Sequence, residues 1–326
     1  MTLGCVVLTN YEGSTRGFLH RALATLSKSL DVSDERDMHF GVIIVDDGSR
    51  DDSLKVLREF RDKRTGHNEV KILRTSNGEA TVAMNAGIRY VFDQYPECKY
   101  VITLDNDIAL SAWFLTELVQ KAQSSSKRTG MFGSNAYMLE SYPQTIVHRS
   151  TGHYVDKAGV TRDGDFRNKE ECKNKSILCP CLCGALFRIE MMREVGLIPE
   201  EYTHYNNCSE LGFRARLGGW EFEFAASAVL WHNWKQQLPP DEKTSRACVR
   251  DLPRTREISR IWNILRFFPR EKIDSAIDEY RKEHYRSSPK CLQQKEELIE
   301  EAKDTCPHIP NGQKEDVYER FVASNG

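Results

Sequence analysis

The chain has 326 residues and a formal net charge of −2, from 46 Lys and Arg against 48 Asp and Glu. That length permits one large domain or a domain with an appended module, and 40% hydrophobic with 29% charged residues is the balance of an ordinary globular protein. The near-neutral charge gives no global field for nucleic acid or anionic lipid, and no apolar run reaches the ~20 residues needed to span a bilayer.

Cys5-Val6-Val7-Leu8-Thr9, short, apolar and β-branched, reads as a buried strand. Met1 to Gly4 carry no charged side chain, so no secretory leader is expected, and the ten cysteines read as mostly reduced thiols of a cytoplasmic protein. A polar turn over Asn10 to Thr15 leads to a predicted helix over Arg16 to Ser29. A second buried strand, His39 to Val45, ends in Asp46-Asp47-Gly48-Ser49, and Ser53 to Phe60 has helical spacing. Val70 to Leu73 is a third strand and Ala80 to Tyr90 a helix. Tyr100 to Leu104 is a fourth strand that runs directly into Asp105-Asn106-Asp107, followed by a helix over Trp113 to Ala122. Strands and helices alternating at these lengths predict an α/β fold with a doubly wound, mostly parallel sheet. Its ligand site should lie beyond the carboxyl ends of the strands.

From about Gly130 to Phe187 the strands shorten and turn residues increase. Cys181 to Phe187 reads as a strand, Ile189 to Val195 and Cys208 to Leu217 as helices, and Phe222 to Leu230 as a strand ending at Trp231-His232. Cys179, Cys181 and Cys183 alternate, which on a strand puts their side chains on one face. No partner Cys/His pair at zinc-finger spacing stands beside them, so they read as buried strand cysteines. Pro239-Pro240 marks a boundary. Beyond it the chain is charged and helical over Arg254 to Phe268, Lys272 to His284 and Cys291 to Ala302. The expected organisation is a catalytic domain over 1–238 and a helical extension over 239–326.

Two acidic sites fall at strand ends, Asp46-Asp47 and Asp105-Asn106-Asp107, and a doubly wound sheet would turn both toward one crevice. Carboxylates there can accept hydrogen bonds from a base or ribose, and Asp-x-Asp can hold a divalent cation through hard oxygen ligands. Such an ion neutralises charge growing on a departing diphosphate.

Val7 to Gly13, Val45-Asp46-Asp47-Gly48-Ser49 and Leu104-Asp105-Asn106-Asp107 resemble the ordered motifs of family 2 glycosyltransferases with the GT-A fold, closest to rhamnosyltransferase-like members. Asn77-Gly78 through Met84-Asn85-Ala86-Gly87-Ile88, Cys183 to Arg188, Leu211 to Arg216 with Gly219-Trp220, and Trp231-His232 are similar to later family segments, so the likeness spans about residues 3–234. The resemblance implies a metal-dependent, inverting transfer of a sugar from a UDP- or dTDP-linked donor to a hydroxyl of a glycan or lipid-linked acceptor. It implies donor contacts at Thr9, Tyr11, Glu12, Asp46, Asn77, Asn85 and Asp105, and Mn2+ or Mg2+ held by Asp107 and His232.

One stretch departs from the pattern. The family usually carries a Glu-Asp pair, with Asp as general base, where this chain has Asn207-Cys208. Glu210 is the nearest carboxylate and becomes the candidate base, with Asp163, Asp165, His153 and His204 as substitutes. Two rivals follow: a sugar-nucleotide-binding protein that transfers poorly, and a sugar-phosphate nucleotidyltransferase, for which Asn10 to Arg16 is a poor phosphate loop. In the tail, Ile258, Ile261, Trp262, Leu265 and Phe268 form an apolar stripe among Arg254, Arg256, Arg260, Arg266 and Arg270. Packing on its own domain is the favoured reading of that helix; peripheral contact of 254–270 with an anionic membrane is the other.

Overall fold

A strand that is apolar on both sides needs cover on both sides, and the first two strands have that character. In the computed structural model, which describes residues 2–64, 69–76, 79–145, 148–164, 177–203, 205–233, 254–282, 289–307 and 312–325, β1 (Gly4–Asn10) and β2 (Phe40–Asp47) are almost wholly buried. Their side chains alternate between two cores. Cys5, Val7, Ile43 and Val45 enter one, while Val6, Leu8, Val42 and Ile44 enter the other. Asn77, Asp165, His204 and Pro239-Pro240 lie outside the described residues.

β3 (Val70–Thr75) and β4 (Tyr100–Leu104) join β1 and β2 in the parallel order β3-β2-β1-β4. Beyond β4 the sheet becomes mixed. β10 (Gly184–Arg188) runs antiparallel to both β4 and β6 (Thr129–Met138), and β11 (Glu221–His232) pairs parallel with β6 and antiparallel with β5 (Ile108–Leu110). β7 (His148–Ser150) pairs with β6, and β8 (His153–Val155) with β9 (Thr161–Asp163) forms a separate ribbon. The expected α/β architecture holds. One local expectation does not: Cys179 to Cys183 are not strand residues sharing a face, because the chain turns there and β10 begins only at Gly184. Cys179 makes an isolated bridge to His153.

α1 (Leu19–Asp34), α2 (Ser53–Lys63) and α4 (Phe114–Ser124) cover one face of the sheet. α3 (Ala80–Gln94), α5 (Ile189–Val195) and α6 (Asn207–Leu217) cover the other. The tail forms α7 (Arg254–Phe267), α8 (Arg270–Lys282), α9 (Pro289–Thr305) and α10 (Lys314–Phe321). Ile258, Ile261, Trp262 and Phe268 belong to the same apolar cluster as Val7, Val45 and Phe213. The stripe on α7 is therefore covered by its own protein. Arg260 and Arg266 turn inward as well, Arg260 donating to the Ala158 carbonyl at 2.9 and 2.6 Å. The membrane-facing role considered for 254–270 loses its apolar face to this packing. Among the described residues no helix is long and apolar enough to cross a membrane.

This packing makes the C-terminal helices part of the folding unit. Trp262 is buried, lies tilted against Tyr202 with ring centroids 5.3 Å apart and donates its indole N–H to the Ala302 carbonyl at 3.1 Å. Replacing it with alanine should cost about 3–5 kcal/mol, read as a lower midpoint in urea unfolding; an unchanged midpoint would show the tail to be an independent appendage.

Candidate active site

The register of the sheet assembles the polar residues. β1 lies between β2 and β4, with Asn10 opposite Asp46 and Leu8 opposite Leu104. Asn10 donates to Asp46 Oδ1 at 2.8 Å and to Ser49 Oγ at 3.1 Å. Gly48, at φ +79°, takes a left-handed turn that brings the Ser49 N–H back to Asp46 Oδ2 at 3.2 Å. Ser49 Oγ accepts from the Glu12 N–H at 2.9 Å, and the Glu12 carboxylate accepts from the Arg50 N–H at 3.3 Å. Asn106 closes the ring by donating to Asn10 Oδ1 at 2.8 Å. The loops after β1, β2 and β4 are thus one hydrogen-bonded unit.

Asp46 sits at the bottom of this unit with no exposed surface, so its carboxylate holds the loops in place rather than facing the crevice. Arg74 approaches it to 3.8 Å from an exposed position. Tyr11 is 44% exposed on the rim, with the Arg16 guanidinium 5.9 Å from its ring centre. Thr9 donates to Asp105 Oδ1 at 3.4 Å. Asn85 is not brought to this place: buried in α3, it donates to the Ile198 carbonyl at 2.7 Å. Asn77 is among the residues outside the description.

The second cluster forms where β11 meets β5. His232 stands opposite Ile108, one residue from Asp107, so antiparallel pairing carries the imidazole to the acidic triplet. His232 Nε2 is 3.0 Å from Asp107 Oδ1 and 3.7 Å from Asp105 Oδ2. Burial alone would lower the His232 pKa, but the Asp107 carboxylate, aided by Asp105, holds it well above the usual histidine value. One ligand atom from each of the three residues lies within 4.8 Å of the others. Two carboxylates and an imidazole at that spacing suit a divalent cation, whose binding would require the neutral imidazole.

Glu210 lies elsewhere. Its carboxylate is fully buried, takes a bidentate pair from Arg214 at 2.7 and 2.8 Å, and meets Arg266 at 3.0 Å. A carboxylate so enclosed cannot touch an acceptor, so burial corrects the assignment of Glu210 as base. The first turn of α6 instead presents Cys208, partly exposed. The Cys208 thiol pKa is pulled well below its usual value by a hydrogen bond from Cys179, against the effect of burial and with help from His153. His153 Nδ1 in turn lies 3.2 Å from Asp163 Oδ1. Sequence reasoning named His153 and Asp163 only as substitutes, and placed Asn10, Ser49 and Asn106 within motifs without a role of their own. Their joint role depends on strand register, which no local pattern carries.

A crevice at the carboxyl ends of β1, β2 and β4, with an Asp-x-Asp and a histidine from the far edge, is the site layout of a GT-A glycosyltransferase fold. Residues 5–196 match the family described as Glycosyl transferase family 2, and the chain belongs to that family. An undecaprenyl-phosphate 4-deoxy-4-formamido-L-arabinose transferase of Shewanella sediminis is 26% identical over 173 residues, half of each chain. A chondroitin synthase of Pasteurella multocida is 22% identical over 236 residues, 65% of this chain and 23% of the synthase. The chain thus spans half or less of these curated relatives. Among solved structures, GalNAc-T7 with UDP, GalNAc and Mn2+ aligns with a TM-score of 0.60 at 14% identity, over 98% of this chain and 58% of that one. S. aureus TarS 1-349 in complex with UDP aligns at 0.53 and 15%, over 88% and 73%. At such identities the structural likeness concerns the fold.

The arginine clamp on Glu210 carries its own test. Glu210→Gln removes the buried negative charge that Arg214 and Arg266 share and should cost about 3–5 kcal/mol of stability, measured by denaturant unfolding. A variant of full stability that had lost only turnover would return Glu210 to a chemical role.

Proposed function

We propose that this protein transfers a glycosyl group from a nucleoside-diphosphate sugar, UDP- or dTDP-linked, to an acceptor hydroxyl with inversion. The observation that carries this reading is the convergence of Asp105, Asp107 and His232 beside the loop unit built on Asp46. A divalent cation, Mn2+ or Mg2+, bound there would neutralise the diphosphate as it departs; the imidazole in the donor set favours a first-row transition ion such as Mn2+. Asp107 and His232 are assigned as its ligands, with Asp105 bridging toward the donor and positioned by Thr9.

Tyr11 and Glu12, on the rim, border the nucleotide base. Asp46 acts through Asn10 and Ser49 by fixing the loops that receive the nucleotide. Proton removal from the acceptor is assigned to Cys208, whose thiolate is favoured by the hydrogen bond from Cys179 and by His153, itself 3.2 Å from Asp163. The names of the curated relatives support a glycan or a lipid-linked phosphate as the acceptor. A lipid-linked acceptor would be met by a surface other than the covered stripe of α7, at the cytoplasmic side of a membrane.

A panel of nucleotide sugars with and without Mn2+, followed by release of nucleoside diphosphate, tests the central reading. Asp107→Ala should lower turnover by about 10²–10³-fold; metal-independent release unchanged in that variant would sink it. For the base, Cys208→Ala should lower kcat while sparing donor KM, and Cys208→Asp should restore part of it with the rising limb of the pH profile displaced. Equal kcat in Cys208→Ala and the parent chain would remove Cys208 from the role.

A further inference from the structure

The turn before β10 holds two thiols that the transfer reaction does not use. Cys181 and Cys183 lie with their sulfurs 3.3 Å apart. Cys181 is partly exposed, while Cys183 is buried behind it. Gly184 is paired with Leu104, so the next residue on each strand brings Cys183 alongside Asp105. The segment between the sulfurs is pinned to the same strand: Thr103 Oγ1 donates to the Leu182 carbonyl at 2.6 Å. Ser134 Oγ donates to the Gly184 carbonyl, also at 2.6 Å. Gly184 has no room to yield, since a Cβ there would run into Leu230 and lie 2.9 Å from Ser134 Oγ.

We infer that Cys181 and Cys183 are an oxidisable dithiol, a modification site that takes a two-electron oxidant of the peroxide class and, once closed to a disulfide, distorts the neighbouring acidic site. The chemistry balances with hydrogen peroxide as oxidant. The Cys181 sulfur attacks one peroxide oxygen, the O–O bond breaks, and Cys181 sulfenic acid and one water result. The Cys183 sulfur then attacks the Cys181 sulfur; the S–O bond breaks, and the departing hydroxide takes the Cys183 proton as a second water. Two thiols lose two electrons in all, and the peroxide gains them.

Cys181 suits the first step. Its bond with Cys183 outweighs burial, and His153 adds to the effect, bringing its pKa down to about 6. Cys183 needs no such shift, because its proton leaves with the hydroxide. Closure draws the sulfurs from 3.3 Å to about 2.05 Å. The carbonyl of Leu182, held by Thr103, transmits that movement to the end of β4, one residue from Leu104-Asp105.

A second thiol pair supplies an internal control. Cys5 and Cys98 have sulfurs 3.6 Å apart, but both are buried, Cys5 at 0% and Cys98 at 6% exposure. Proximity is therefore similar in the two pairs and access differs.

Only the effect on the acidic site rests on the function proposed above; the thiol chemistry stands without it. The purified, folded chain is treated with hydrogen peroxide, digested after thiol blocking, and analysed by mass spectrometry with and without dithiothreitol. A reducible loss of two hydrogens in the peptide carrying Cys181 and Cys183 is expected, with Cys5 and Cys98 still blocked as thiols. Free Cys181 and Cys183 after oxidation, or oxidation first at Cys5 and Cys98, would overturn the assignment. In parallel, binding of Mn2+ with UDP is measured on reduced and oxidised protein. Weaker binding after oxidation in the parent chain, reversed by dithiothreitol and absent in Cys181→Ser and Cys183→Ser, supports the coupling to Asp105. A disulfide that forms without changing Mn2+–UDP binding overturns the coupling. If reduced protein fails to bind Mn2+–UDP at all, the donor-site reading fails while the mass result still decides the thiol chemistry.

Discussion

Everything at the site depends on β1 being paired in parallel with β2 on one side and β4 on the other. Parallel pairing brings three carboxyl ends to one edge, and its register sets which residues meet there. Asn10 falls against Asp46, and Thr9 reaches Asp105. A shift of one residue in either pairing would turn the alternating side chains of β1 to the opposite core. Both cores are filled by large aliphatic groups, each worth roughly 1.5–3 kcal/mol when fully buried. The same apolar burial that stabilises the sheet therefore also fixes the polar constellation, with no need for strong bonds among the polar groups themselves.

The far side of the site is held by different means. β10 runs antiparallel to β4 and β11 antiparallel to β5, and through those pairings Cys183 comes beside Asp105 and His232 beside Asp107. α6 and α7 then close over this half. Glu210, Arg214, Arg266, Tyr202 and Asn263 form a buried polar network between them, with Tyr202 donating to Asn263 at 3.0 Å and Arg266 donating to Tyr202 at 3.1 Å. Asn206, at φ +58°, starts α6 and donates to Ser259 on α7 at 2.8 Å. The C-terminal helices thus orient the first turn of α6, where Cys208 sits, and their packing bears on the site as well as on stability.

The parallel half of this fold was legible because its signals are local. Short apolar runs, followed by Asp in β2 and β4 and separated by helices, place β1 to β4 to within one or two residues at each end, and the acidic triplet stands at a strand end where the sheet needs a ligand site. The mixed half was harder. β5 is three residues long and follows directly on the triplet, too short to show a period. β6 runs as one strand through Gly130 and Gly133, which close packing against Trp220 and Phe222 explains but no propensity would. The cysteine alternation looked like a strand and proved to be a turn. Glu210 stood out in the sequence as the carboxylate nearest to Asn207-Cys208; its partner Arg266 comes from α7, more than forty residues later in the chain. Asp46 was expected to face the nucleotide and instead lies beneath the loops, since the asparagine and serine that cover it are recruited from separate strand ends.

The two halves of the crevice also differ in chemical character, and that difference has a consequence. Around Asp46 and Asn106 the polar atoms are carboxylate and amide oxygens; at the turn before β10, beside Asp105, they are thiols. Hard cations prefer the oxygens and thiolates prefer soft ones, so the two ligand sets can lie side by side without competing for the same ion. Asp105 and Cys183 mark the boundary. Under the proposed function, a cation among Asp105, Asp107 and His232 would have thiols close by, and an ion soft enough to prefer sulfur would bind there instead. Keeping sulfur next to the site is useful only if the sulfurs are occupied with one another. The close approach of Cys181 to Cys183, and the hydrogen bond between Cys179 and Cys208, meet that condition.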